Sequence, residues 1–267
     1  MVSIQLALPH ATALISTDTQ DMADMIKTVF AAMLRPCEGP SICDIEVLRR
    51  GDQYGLRFCG KESPCASRLE VIFLVHWIIE QRVESLEWND RIVFHGGLIR
   101  KQDRAFALVA PTRTGKSTLT ASLCADDYEF YADDFICVHR ETCRVLPFAL
   151  PIVLRNLLPG IRNEILAEGF NPRREEYSYF VKTKEYADTT HPPLTHVLFL
   201  ERGDTNALIQ LSKGASYLAL LQNLKDAKRL EREVFFLKEF CGRVKCFSLR
   251  FRDRDFEYVK EAVGGLA

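Results

Sequence analysis

The chain has almost no excess of either charge: 35 Lys and Arg stand against 36 Asp and Glu, a formal net charge of -1. A protein that grips phosphate backbones without regard to sequence needs a basic surplus, so nucleic acid is not expected as a partner. Long apolar runs are missing as well. An apolar run from Val71 to Ile79, with His76 inside it, is about half of the ~20 residues that cross a bilayer, and no membrane is expected. Residues 1–16 carry no basic start and are broken by Pro9-His10, unlike a secretory signal, and a cytoplasmic protein is expected. The nine cysteines contain no Cys-x-x-Cys pair and sit among apolar neighbours, as in Phe58-Cys59 and Ile136-Cys137-Val138, which reads as small core residues in a reducing compartment. Cys137, His139 and Cys143 are spaced wrongly for a zinc site. No internal repeat and no low-complexity segment occurs.

What remains is ordinary globular composition, 47% hydrophobic and 27% charged over 267 residues, enough for one sizeable domain with a smaller appendage. Residues 1–88 read as an N-terminal α/β accessory region without a chemical motif. Thr17 to Gln20 has the form of a capping box, followed by Met22, Met25, Ile26, Val29, Phe30 and Met33 at helical spacing, so the first element expected is a helix closed near Pro36. Two strands are expected over Cys43–Arg49 and Tyr54–Phe58 around Arg50-Gly51-Asp52, then a helix over Arg68–Arg82.

Residues 89–267 read as the domain that carries chemistry. One strand is expected over Arg91–Ile99, a buried strand over residues 105–110, a helix from Gly115, and a strand pair around Glu129–Asp133 and Phe135–His139. The proline-containing segment that follows reads as a strand edge and a turn. Phe170 to Pro193 is polar and reads as a mobile loop near a substrate. A strand over Leu194–Leu200, helices carrying Leu218 to Leu224 and Leu230 to Cys241, a strand over Val244–Phe251 and a helix over Asp253–Val263 complete the chain.

The sharpest local signal is Ala110-Pro111-Thr112-Arg113-Thr114-Gly115-Lys116-Ser117-Thr118, which fits the Walker A pattern GxxxxGK[ST] except for Ala110 in place of its first glycine. Such a loop turns successive backbone N–H groups onto a β-phosphate, while its lysine reaches the β and γ oxygens and its serine takes a place on Mg²⁺. Gly-Lys-Ser/Thr alone arises by chance in about one chain in seven of this length. Its context, a buried strand before and a helix after, gives it meaning. Ala110 and Arg113 stand where glycine eases a tight turn, and Arg113 offers a charge-assisted contact to phosphate in exchange.

Tyr131-Ala132-Asp133-Asp134 follows at a strand end, 17 residues past Lys116. Two adjacent carboxylates there need a cation as compensation. Val93-Phe94-His95-Gly96-Gly97 precedes the loop by about 15 residues and places His95 in the strand expected beside residues 105–110.

In this order and spacing, His95-Gly96, the loop ending Gly115-Lys116-Ser117-Thr118, and Ala132-Asp133-Asp134 resemble the HPr kinase/phosphorylase family and, more distantly, the ATP-dependent phosphoenolpyruvate carboxykinases. The resemblance covers roughly residues 90 to 225. It implies an α/β fold, a mixed β-sheet with helices packed on it and a P-loop, with ATP and Mg²⁺ as cofactors. It further implies Asp133 as the base toward a substrate serine, Asp134 with Ser117 on Mg²⁺, His95 beside them, and Lys116 on the γ-phosphoryl group. Thr112, Arg113, Thr114, Gly115 and Thr118 would line the nucleotide. The family's later glycine-rich segment has its nearest counterpart in Leu154-Arg155-Asn156-Leu157, which puts phosphorolysis and the carrier-protein substrate in question; Arg155 and Arg202 are candidate phosphate contacts. Truncated kinases that accompany ribosomally made peptides, lasso-peptide precursors among them, are similar too. The acceptor expected on that ground is a serine hydroxyl of a peptide or small protein. Relatives of this type often assemble into rings, so a homo-oligomer stays among the expected partners.

Two other readings remain beside the serine kinase: a small-molecule kinase using the same site, and a nucleotide-binding regulator without transfer. A guanine-nucleotide switch is disfavoured, because there is no Asn-Lys-x-Asp sequence and, beyond the loop, no aspartate followed three residues later by glycine.

Overall fold

The chain begins with strands rather than with the helix expected from Thr17–Gln20. In the computed structural model, which describes all residues except 10, 36–38, 87–89, 158–160, 162–164, 183–190, 225–229 and 254, β1 (Val2–Leu8) and β2 (Ala11–Thr17) form an antiparallel pair. The cause is a period of two: Ala11, Ala13, Ile15 and Thr17 face inward while Leu14 faces out. Thr17 is thus the last, buried residue of a strand. Helix α1 (Gln20–Val29) starts after Thr19, which makes no side-chain cap, and buries Met22, Ile26 and Val29 as the helical spacing requires.

The hairpin β3 (Ser41–Arg50) and β4 (Gln53–Phe58) forms as expected, with Gly51 supplying the left-handed turn residue at φ 63°. A further strand, β5 (Lys61–Cys65), follows. The sheet runs β1-β2-β3-β4-β5, and only β2 and β3 are parallel. Helix α2 (Arg68–Glu84) is capped by Ser67, whose side chain accepts from the Glu70 N–H at 3.2 Å.

The chain then builds β6 (Arg91–Phe94), β7 (Gly96–Lys101), β8 (Arg104–Val109), α3 (Lys116–Ala125), β9 (Glu129–Ala132), β10 (Ile136–His139) and β11 (Val145–Leu146). After these come β12 (Ile152–Leu154), β13 (Ile165–Asn171) and β14 (Glu176–Val181), and finally β15 (Leu194–Arg202), β16 (Ala207–Gln210), α4 (Lys213–Gln222), α5 (Leu230–Arg243), β17 (Lys245–Phe251) and α6 (Phe256–Gly264).

Two units result, Met1–Glu87 with Leu150–Glu185, and Trp88–Ala149 with Tyr186–Ala267. The division differs from a cut near residue 88, because β12, β14 and β13 form a sheet of their own that packs with the first unit. Its glycine at 169 admits Leu69 of α2, Phe180 stacks on Phe73 at 4.8 Å, and the Pro151 carbonyl lies 3.0 Å from His76 Nε2. Helix α2 touches β3 on one side and β13 on another, which is why it is apolar nearly all round. The mobile loop expected over Phe170–Pro193 is therefore largely a β-hairpin. Asn171-Pro172-Arg173-Arg174 supplies its turn, with Asn171 Oδ1 accepting from the Arg173 N–H at 3.0 Å. Of the rest of that expectation, residues 183–190 lie outside the described residues.

The second unit is built on a six-stranded sheet ordered β16-β17-β15-β8-β7-β9, with β8, β15 and β17 parallel and the other pairs antiparallel. A small sheet, β11-β10-β6, accompanies it. Helix α3 packs on β7, β8 and β9 and touches α6. The fold is thus α/β with mixed sheets. All eight described cysteines are free, and seven are buried. Among the described residues no helix is long and apolar enough to cross a membrane.

His196 in β15 is a core residue with a consequence for stability. Its ring stacks between Phe106 at 4.9 Å and Phe247 at 6.0 Å, and its Nδ1 lies 2.9 Å from Thr195 Oγ1. Burial first, then the charges of Lys245 and Arg104, pull its imidazole down to about 4. The unfolded chain binds this proton from about pH 6.5 downward, the native chain only near 4, so the native state loses stability as pH falls across that window. Unfolding by urea at pH 7.5 and pH 5 is expected to show a drop on the order of 1–2 kcal/mol that His196→Phe removes. An equal acid slope in both proteins would assign it to other groups.

Candidate functional site

The chain changes sheets twice, and both motifs lie where it does so. It leaves the small sheet at the end of β6 and enters the large one at β7, with His95 between. It makes the reverse crossing from β9 to β10 through Asp133-Asp134-Phe135. The pairings Phe94 with Ile136 and Leu98 with Ala132 flank both crossings, so residues 95–97 stand opposite 133–135. The single strand expected over Arg91–Ile99 is for this reason two strands, and the strands around the Asp pair do not pair with each other. Asp134 takes the turn at φ 68°, a left-handed conformation that costs a non-glycine residue about 1 kcal/mol or more. His95 Nδ1 lies 3.2 Å from the Asp134 carbonyl oxygen and 3.8 Å from its Oδ1.

The two glycines after His95 allow close approach. A Cβ on Gly97 would collide with Thr120 Oγ1 of α3, and one on Gly96 would meet the Leu108 carbonyl oxygen at 2.5 Å. Helix α3 can therefore lie directly on the strand that begins beside His95.

The loop joins β8 to α3 as expected, with Gly115 at φ 105° capping the helix and Arg113 also left-handed at φ 70°. Thr112 and Arg113 are exposed, while Thr114, Gly115, Ser117 and Thr118 are half-buried. Lys116 is only 5% exposed, and its Nζ donates to the carbonyls of Ala110 at 2.8 Å and Pro111 at 3.1 Å. A lysine turned back over its own loop, above first-turn N–H groups that lack helical partners, makes a place for an anion.

Asp133 lies against this helix start. It is 5% exposed, accepts a hydrogen bond from the Ser117 hydroxyl, and leaves Oδ1 buried without a hydrogen-bond partner. Burial, reinforced by the neighbouring Asp134 charge, pushes its carboxyl up to about 7, against the pull of Ser117 and Lys116. An orphaned carboxylate oxygen beside a serine hydroxyl and a second carboxylate fits a hard divalent cation. Among the described residues no group of three or more His, Cys, Asp or Glu side chains forms a metal site.

His95, residues 110–118 and Asp133-Asp134 thus converge in the second unit, and Arg202 joins them. Its Nε donates to the Thr114 carbonyl at 3.0 Å, and its Nη1 donates to Asp253 Oδ1 at 2.8 Å. The chain is similar in structure to an HPr kinase/phosphatase. That protein, the Hpr(Ser) kinase/phosphatase from Coxiella burnetii, matches over 65% of this chain and 95% of its own with 9% identity and a TM-score of 0.33. No family model and no curated protein matches the chain.

Arg155 belongs to the first unit, where its Nε pairs with Glu176 Oε1 at 2.8 Å. Asp253 escaped the sequence reading, since nothing in its local sequence links it to a loop far upstream. The neighbours of Arg202 could be read only once β15 was known to lie beside β8.

Proposed function

We propose that the chain is an ATP- and Mg²⁺-dependent kinase that transfers the γ-phosphoryl group to a serine hydroxyl of a peptide or small protein. The observation that carries this reading is the buried Asp133 carboxylate, raised toward neutrality and held against Ser117 at the start of a helix led by Gly115-Lys116.

In this reading the N–H groups of residues 115–118 and Lys116 bind the phosphates, which fixes the donor and neutralises charge without covalent chemistry. Ser117 and Asp134 would hold Mg²⁺, which when bound supplies further neutralisation at the phosphate oxygens. Asp133 takes the proton of the acceptor hydroxyl as its oxygen bonds to the γ-phosphorus and the bond to the β,γ-bridging oxygen breaks. A carboxyl raised toward 7 is well matched to that proton transfer at neutral pH. His95 orients the Asp134 end of the turn.

The Ser117–Asp133 hydrogen bond favours a second reading, in which Asp133 stands on the metal side and Asp134 with His95 faces the acceptor. The two are separated by the cation dependence of residual activity. A metal-side aspartate, changed to asparagine, shifts the Mg²⁺ requirement upward. A base leaves it in place and loses the pH dependence.

The test of the main reading is a mass-spectrometric transfer assay with Mg-ATP and a library of serine peptides. A phosphate mass gain is expected on a subset of peptides, lost without divalent cation and reduced about 100-fold or more by Lys116→Ala. Tight ATP binding without gain on any peptide moves the proposal to a small-molecule acceptor or a regulator. Absence of ATP binding ends it.

A further inference from the structure

We infer that Arg202, locked by Asp253, is a positioning residue that sets the anion-receptive shape of the loop from behind. This inference rests on the reading of residues 110–118 as a phosphate-binding loop.

All its parts lie in the second unit. Strands β8, β15 and β17 run parallel, so the loop after β8, Arg202 at the end of β15 and Asp253 just beyond β17 leave the sheet at the same end. There Arg202 spans both neighbours: its Nε on the Thr114 carbonyl at 3.0 Å, its Nη1 on Asp253 Oδ1 at 2.8 Å. A Cβ built on Gly115 would stand 3.4 Å from Arg202 Nη2 and 4.0 Å from Phe256 Cε1. The outside of the turn is thus backed by two side chains.

The effect on the inside follows from peptide geometry. The chain has no cis peptide bond among the described residues, and in a trans peptide the C=O and the next N–H point in opposite directions. A guanidinium that holds the Thr114 carbonyl outward therefore aims the Gly115 N–H the other way, away from Arg202. Gly115 at φ 105° has the freedom to flip that plane. Without the clamp, the Thr114 carbonyl has no other hydrogen-bond partner among the described residues, whereas those of Ala110 and Pro111 are held from within the loop by Lys116 and Thr114. A lysine at 202 could hold the carbonyl but could not also make the fork to Asp253.

The clamp is at the surface, Arg202 being 46% and Asp253 63% exposed in their side chains, so it contributes little to folding. Its loss should be felt in recognition instead. The experiment measures Kd for Mg-ADP and for AMP by calorimetry, with thermal unfolding, in the full chain and in Arg202→Ala, Arg202→Lys, Asp253→Asn and Lys116→Ala. An N–H aimed at a β-phosphate is blind to AMP. Arg202→Ala is expected to weaken ADP about ten-fold or more and AMP less than two-fold, Arg202→Lys to recover part of the loss, and Asp253→Asn to weaken ADP about three-fold, all with unchanged melting temperature. ADP binding within two-fold of the parent in Arg202→Ala, while Lys116→Ala loses it, overturns the clamp and leaves the phosphate loop standing. Loss in Arg202→Ala with none in Asp253→Asn also overturns it, because Arg202 would then touch the nucleotide directly. ADP binding unaffected by Lys116→Ala overturns the loop reading, and the clamp with it.

Discussion

Asp133→Asn is expected to reduce phosphoryl transfer by about 100- to 10,000-fold and, in the same protein, to make the nucleotide-free chain harder to unfold at neutral and alkaline pH. Both effects have one origin. The Asp133 carboxyl is buried, has an oxygen without a hydrogen-bond partner, and faces a second carboxylate, so its ionised form is poorly accommodated and its pKa lies near 7 instead of near 4. The native state therefore binds this proton more tightly than the unfolded chain does. Stability from this group is fully present below about pH 4, falls as pH rises between 4 and 7, and stays low above 7. Asparagine has no proton to lose, so the variant should gain on the order of a few kcal/mol over the parent at pH 8 and almost nothing at pH 4. Urea denaturation at the two values, beside the transfer assay, checks the pair of effects. An asparagine variant that is inactive and no more stable at pH 8 would show that Asp133 is held ionised by its surroundings, and the raised proton affinity that matches it to transfer at neutral pH would fall.

That coupling of strain to chemistry marks where the sequence could be read. The loop from Ala110 to Thr118 could be placed because strand, turn and helix start are local: a buried run, Gly115 where left-handed backbone is needed, and apolar residues on α3. The Asp pair and His95 could be named for their chemistry. Their meeting is non-local, since it depends on two chain crossings between sheets and on a register that no local pattern specifies.

The same distinction explains the misread elements. Residues 11–17 alternate in burial, yet Thr17 and Gln20 match a helix cap, and a cap motif is satisfied by sequence whether or not the threonine is already committed to a strand. Phe170 to Val181 carries a polar turn and a half-exposed β13, with Phe170 and Tyr177 themselves exposed, while β14 buries Ser178, Phe180 and Val181 without a clean alternation, so the hairpin has no visible period in the sequence. Arg202 could be suspected as a phosphate contact only for its charge. Its partner Asp253 became visible once β17 was placed beside β15.

Gly96→Ala should be among the most destabilising single-methyl changes in the second unit. The added carbon would stand 2.5 Å from the Leu108 carbonyl oxygen and 2.7 Å from Ile136 Cδ1. The isoleucine could turn, but the carbonyl belongs to β8, which is hydrogen-bonded to β7 on one side and β15 on the other and cannot retreat without disturbing both pairings. A cost of about 3 kcal/mol is expected, at the upper end for overpacking. Gly214→Ala makes the same chemical change in α4 where nothing lies within 4 Å, and there the gain in helix propensity should stabilise by about 0.5–1 kcal/mol. The opposite signs separate close approach from backbone entropy. Because Gly96 follows His95 and Ile136 opens β10, the strain falls on the crossing that brings His95 to Asp134, so any folded fraction of Gly96→Ala should transfer phosphate more slowly than its population explains. Equal urea midpoints for the two alanine variants would mean that the sheets separate at this point at little cost, and the crossing would then lack the rigidity needed to hold His95 against the Asp134 turn.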